Sequence, residues 1–177
     1  MHSPVSAAER VRAFLREACA GNFALAQLEV SYLKPGPDGP VRLLYEGLGP
    51  SGQILRLSAR RVRPEDAPKI EAMLARDVHS PGNIAATGFA RSVLYAPELQ
   101  TVFHVFPADR SLPALRTAVD AHAMRPILEQ ALSDATAGAE AARVGVEVVR
   151  YKPEQKCSLR YDLVWAGPAR PDRPASV

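Results

Sequence analysis

The stretch Val146-Glu-Val-Val-Arg-Tyr-Lys-Pro-Glu-Gln-Lys-Cys-Ser-Leu-Arg-Tyr161 decides how this chain is read. Val144, Val146 and Val148 alternate with Gly145 and Glu147, which is the period of a half-buried strand. Pro153 has no amide to give to a ladder, so Lys152 to Lys156 is expected to turn and Cys157 to Trp165 to return. Residues 144–166 are therefore expected to form an antiparallel hairpin.

Nearer the N-terminus, Leu28-Glu-Val-Ser-Tyr-Leu-Lys-Pro35 aligns with Val146-Glu-Val-Val-Arg-Tyr-Lys-Pro153, with Lys34 matching Lys152 at an offset of 118 residues. Each turn is followed by an apolar-Arg pair and a tyrosine, Val41-Arg42 with Tyr45 and Leu159-Arg160 with Tyr161. Such a long period does not describe a solenoid. It describes either a duplicated β-subdomain or two hairpins that share strand formers and Pro turns by chance.

Between these hairpins the period changes several times. Ser6 and Glu9 make a capping box, and Val11, Phe14, Leu15, Ala18 and Cys19 follow with helical spacing, so a helix is expected over about 7–20. The segments around 28–32, Val41 to Tyr45 and Gln53 to Ala59 read as an antiparallel meander. Pro64 opens a helix expected to turn Ile70, Met73 and Leu74 inward. Residues 78–88 read as a loop. Ser92 to Tyr95 and Thr101 to Phe106 read as strands, and Asp109 or Ser111 as the cap of a helix carrying Leu112, Leu115, Ala118 and Val119. The residue before a proline avoids helical geometry, so a further helix is expected to start at Pro126 and bury Ile127, Leu128, Ala131 and Leu132. Ala135 to Ala142 reads as a linker. The fold class is α+β, with antiparallel meanders and packed helices. It divides into residues 1–88, 89–166 and a disordered tail at 167–177.

Composition narrows the function classes. The 177 residues are 47% hydrophobic and 23% charged, with net charge +3 and no run of five like charges. That pattern gives no electrostatic footprint for nucleic acid. No apolar run reaches the roughly 20 residues needed to span a bilayer. Glu9, Arg10 and Arg12 stand where a signal peptide would be apolar. Two cysteines far apart, Cys19 and Cys157, read as reduced thiols. A cytoplasmic protein with no membrane or nucleic-acid partner is expected.

The segment Arg150-Tyr-Lys-Pro-Glu-Gln-Lys-Cys-Ser-Leu-Arg-Tyr161 resembles the first hairpin of phosphotransferases in the aminoglycoside-phosphotransferase, protein-kinase-like superfamily. Val105-Phe-Pro-Ala-Asp-Arg-Ser-Leu-Pro-Ala-Leu115 looks like the element that precedes that hairpin. The resemblance covers roughly residues 90–165 and, more weakly, 28–60. It implies a kinase N-lobe-like fold, ATP and Mg²⁺ as cofactors of the intact protein, and a small-molecule substrate held by a C-terminal lobe. It also implies that Lys152, Lys156 and Arg160, with Lys34 and Arg42 as first-copy equivalents, contact phosphate or the other lobe.

The chain departs from that pattern in two ways. None of His2, His79, His104 and His122 is followed two residues later by Asp, so a catalytic loop is missing. Glu154 stands where the family usually has Gly. No catalytic or metal-binding residue is therefore assigned, and the chain reads as a segment cut off before the catalytic lobe or as one that has lost activity. The alternatives are a non-catalytic binding or regulatory module, and an interaction domain that pairs through its sheet edges, for instance as a homo-oligomer. Gly47-Leu-Gly-Pro-Ser-Gly52 reads as a hairpin turn, Arg56, Arg60, Arg61 and Arg63 as the solvated face of an edge strand, and His104 as a packed strand histidine.

Overall fold

The computed structural model describes residues 7–19, 29–34, 42–48, 52, 54–76, 89, 91–136 and 140–166. They form an α+β fold in two compact units, Met1–Ala108 and Asp109–Val177.

In the first unit, β1 (Glu29–Lys34), β2 (Arg42–Leu48), β3 (Ile54–Arg61), β4 (Val93–Ala96) and β5 (Thr101–Val105) build one sheet in the order β1-β2-β3-β5-β4. Every neighbouring pair is antiparallel. Alternation along the strands gives the sheet two faces. Tyr45, Leu55, Leu57, Ala59, Phe103 and Val105 join Val11, Leu15 and Cys19 of the helix α1 (Ala7–Ala18) and its C-terminal turn in the main core. Those three residues recur every four positions, one stripe of an α-helix. Phe103 is fully buried, its ring 5.6 Å from Phe14 and 6.2 Å from Tyr45.

A second cluster holds Val62, Val93 and Val102 with Ile70 of α2 (Ala67–Arg76), and Leu74 and Tyr95 pack against it. Met73, expected inward, is 43% exposed. The small cluster covers only the narrow stripe through Ile70 and Leu74. The capping residue Ser6, the loop at 78–88 and the tail at 167–177 lie outside the described residues.

A division at 88/89 was expected. The strands at 93–105 instead complete the first sheet through the β3–β5 pairing, and the compact units divide after Ala108. β3 is consequently a central strand. The expectation that its arginines line an edge does not hold.

The second unit holds the one-turn helix α3 (Leu115–Ala118), the longer α4 (Ala121–Thr136), and a two-stranded sheet of β6 (Ala141–Lys152) and β7 (Lys156–Trp165). The hairpin expected at 144–166 is present. α4 starts five residues earlier than expected and carries Pro126 inside it. Asp120 explains the early start, because its Oδ1 accepts the His122 and Ala123 amides at 2.9 and 3.2 Å. Pro126 then costs one ladder bond near a well-capped end. The apolar face expected from Ile127 onward is not buried: Ile127 is 49% exposed, Ala131 is exposed, and Leu128 and Leu132 are half-buried. The expected linker at 135–142 is partly regular structure, since Ala135 and Thr136 end α4 and buried Ala141 opens β6.

Side-chain ties hold this unit together. The Arg125 guanidinium donates to the Ala142 carbonyl at 2.8 Å, and the Ala141 amide donates to Glu129 Oε1 at 2.7 Å. The Tyr161 hydroxyl donates to the Ala118 carbonyl at 2.7 Å. Burial, and secondarily the nearby Cys157 thiol, raises the pKa of the Tyr161 phenol.

Candidate functional site

The two hairpins share one ladder. In β1–β2, Lys34 faces Arg42, Leu33 faces Leu43, Tyr32 faces Leu44, and after a bulge at Ser31, Val30 faces Tyr45 and Glu29 faces Glu46. In β6–β7, Lys152 faces Lys156, Tyr151 faces Cys157, Arg150 faces Ser158, and after a bulge at Val149, Val148 faces Leu159 and Glu147 faces Arg160. The first strands match at the sequence offset, bulge included. The returning strands match once the connection is shortened from residues 35–41 to residues 153–155. Tyr32 and Arg150 thus occupy the same ladder position.

This register sorts the candidate cations. Lys152 and Lys156 are direct partners at the turn end of their hairpin, with Cα atoms about 5 Å apart for such a pair. Lys34 and Arg42 are direct partners at the equivalent place. Arg42 therefore corresponds to Lys156, not to Arg160 as the sequence alignment had it.

Arg160 lies four residues along β7, about 13 Å from that end. It faces Glu147, with which it forms an ion pair, and its Nε is 3.6 Å from Asp162 Oδ1. The structure brings Lys152 and Lys156 together and places Arg160 in a carboxylate environment on the exposed face of the hairpin.

The turn itself is shaped by Asp109. Its Oδ1 accepts the Ser111 and Leu112 amides at 2.8 and 3.1 Å, and its Oδ2 accepts the Tyr151 hydroxyl at 2.7 Å and the Glu154 amide at 2.9 Å. The Gln155 amide closes the turn on the Lys152 carbonyl at 3.1 Å. Pro153 followed by Glu154 at φ 56° is the pattern of a type II turn, whose third position favours glycine. Glycine would take that conformation without the strain a side chain brings. The Glu154 and Gln155 amides point to protein acceptors, so phosphate contact at this turn would come from side-chain charge.

The cationic side chains at this end of the hairpin are those of Lys152 and Lys156. Both Asp109 oxygens accept protein donors, and among the described residues no group of three His, Cys, Asp or Glu could hold a metal ion. The sequence offers Asp109 or Ser111 as a helix cap but does not show the hold of Asp109 on the turn, because Tyr151 and Glu154 lie more than 40 residues away.

In the first sheet the cationic row extends one strand further, since Arg42 faces Arg60 of β3. Arg60 is half-buried, and its Nε is buried with no hydrogen-bond partner. Arg56 donates to Glu46 Oε1 at 2.7 Å and lies over the Phe106 ring, 5.9 Å from its centroid. Arg42, Arg56 and Arg60 are partly buried in the sheet, whereas Arg61 and Arg63 are exposed to solvent as expected. His104 is half-buried and faces Ser58 and Val93.

No protein-family model, curated protein or solved structure gives a significant match to this chain. Among the described residues, no helix is long and apolar enough to cross a membrane.

Proposed function

We propose that this chain is the nucleotide-lobe-like portion of a small-molecule phosphotransferase, and that the cation pairs Lys152/Lys156 and Lys34/Arg42 are its phosphate contacts. The observation that carries the reading is their shared register. Two like charges directly opposite on a ladder destabilise a sheet. A facing pair of cationic residues nevertheless stands beside the Lys-Pro turn in both hairpins. A phosphate chain next to either pair would attract both of its members. The resemblance of Arg150 to Tyr161 to a phosphotransferase hairpin supplies the chemical class. Arg160 is left out of the contact set because its charge is met by Glu147 and Asp162.

A second reading, a non-catalytic binding or regulatory module, is favoured by the turn. Its Glu154 amide is held by Asp109, and an acidic side chain sits between the two lysines in sequence.

Chemical-shift titration of the chain with ATP separates the readings. The phosphotransferase reading expects saturable shifts at Lys152 and Lys156, with a dissociation constant on the order of 1 mM, about −4 kcal/mol. The double variant Lys152→Gln/Lys156→Gln should lose them. Shifts that persist unchanged in that variant, or wild-type chain that shows none, would exclude phosphate contact at this turn.

A further inference from the structure

We infer that β7 is an association edge that pairs antiparallel with β7 of a second copy of this chain, about a two-fold axis at Tyr161. The inference rests on hairpin register and strand chemistry, independently of the phosphate reading.

The matched ladders identify the edge. β1 and β6 are equivalent, and so are β2 and β7. In the first sheet β1 is the outermost strand, whereas the far side of β2 is covered by β3. In the second sheet, among the described residues, the equivalent side of β7 has no strand on it.

The two outer strands also differ in build. The register shifts in the second hairpin both fall on β6, skipping Ala142 and Val149, while β7 runs unbroken from Lys156 to Trp165. Bulges are a means by which proteins blunt an open edge. β6 is blunted and β7 is not. β7 also lacks proline over ten residues.

The sequence of β7 is complementary to itself in the antiparallel sense. With Tyr161 facing its own copy, Arg160 faces the second copy's Asp162, and Leu159 faces its Leu163. Both charges lie on the exposed side of the hairpin, with half of each side chain accessible. Cross-strand pairs of opposite charge and of apolar residues stabilise a sheet. A two-stranded sheet is also marginal alone, and pairing makes it four-stranded. The arrangement is isologous, so each favourable pair occurs twice.

Sedimentation equilibrium of the full 177-residue chain tests this. At about 100 µM the wild type should be substantially dimeric. Arg160→Asp or Asp162→Arg alone sets like charges opposite each other at two places, and should raise the dissociation constant on the order of tenfold or more. The exchanged variant Arg160→Asp/Asp162→Arg, carrying Glu147→Arg so that position 160 keeps an opposite charge across its own ladder, should recover dimerisation. Amide exchange on the wild type provides a reading that needs no variant to fold: raising the concentration should slow exchange in β7 and leave β6 unchanged. A monomer at that concentration, a dimer indifferent to the single reversals, failure of the exchanged variant to recover, or equal protection of the two strands would each overturn the proposal.

Discussion

The two hairpins carry the same ladder and the same bulge but are supported in different ways. β1–β2 is extended by β3 and β5, and the sheet is backed by an apolar core centred on Leu57, Phe103 and Val105. In β6–β7 the buried apolar side chains among the described residues are few, Ala141, Tyr151, Pro153 and Leu163, and the hairpin is fastened by Asp109, Tyr161, Arg125 and Glu129. A strand ladder therefore does not dictate its own support. One pattern can be stabilised by non-directional burial or by a few directed hydrogen bonds, and the two respond differently to perturbation.

The largest effect should come from the apolar side. Phe103→Ala removes a fully buried ring in contact with Phe14 and Tyr45, and should cost about 4 kcal/mol. Trp165, the single tryptophan, lies on β7 and reports on the second unit. Urea unfolding should show an earlier loss of sheet signal with the Trp165 transition in place. If the two move together, the units are one cooperative body and the comparison breaks.

Asp109→Ala should strike the other hairpin. It leaves four donors without their acceptor, at a cost of about 3 kcal/mol. The Trp165 transition should move to lower urea. Asp109→Asn keeps one acceptor oxygen and should lose roughly half as much. A Trp165 transition unmoved by Asp109→Ala would show that the ties seen here do not stabilise the hairpin.

Alkaline pH sharpens the contrast from the first unit. Cys19 is 1% exposed, and burial pushes its thiol up to about 12 from an ordinary value of 9.0. The folded state holds that proton more tightly than the unfolded chain. The stability it contributes is fully present below about pH 9 and is lost as pH rises toward 12. Cys19→Ser should flatten this alkaline decline. An identical decline in the variant would assign it to other groups.

The smallest expected effect is at the turn. Glu154→Gly places glycine at a left-handed position and should stabilise the second unit by up to about 1 kcal/mol. It also removes a negative charge next to Lys152 and Lys156, so the ATP-induced shifts should saturate at lower concentration. Destabilisation by this change would mean that the Glu154 side chain contributes more than its backbone strain costs.

Much of this fold is written locally. Alternating valines at 144, 146 and 148, the proline at 153, and the four-residue recurrence of Val11, Leu15 and Cys19 report directly on which face of an element is apolar, and those elements formed within a few residues of expectation. Capping is also local, and at α4 the cap sets the start of the helix ahead of the proline. Asp120 outweighed Pro126 because a cap satisfies two amides while the proline removes one.

The candidate site was legible only in part. Lys152 and Lys156 could be named because the turn between them is local. The pairing of Arg160 with Glu147 depends on where a bulge falls, and a shift of one residue would have moved it.

By itself the sequence determined the type and period of most elements, the two Lys-Pro hairpins and the α+β class. The tertiary structure decided that β3 is central, that the strands at 93–105 complete the first sheet, that Asp109 holds a turn 45 residues away, and which cations share a row. The physical reason is range. Backbone period and capping depend on neighbours a few residues apart, whereas strand order and buried polar contacts depend on which distant surfaces exclude water together.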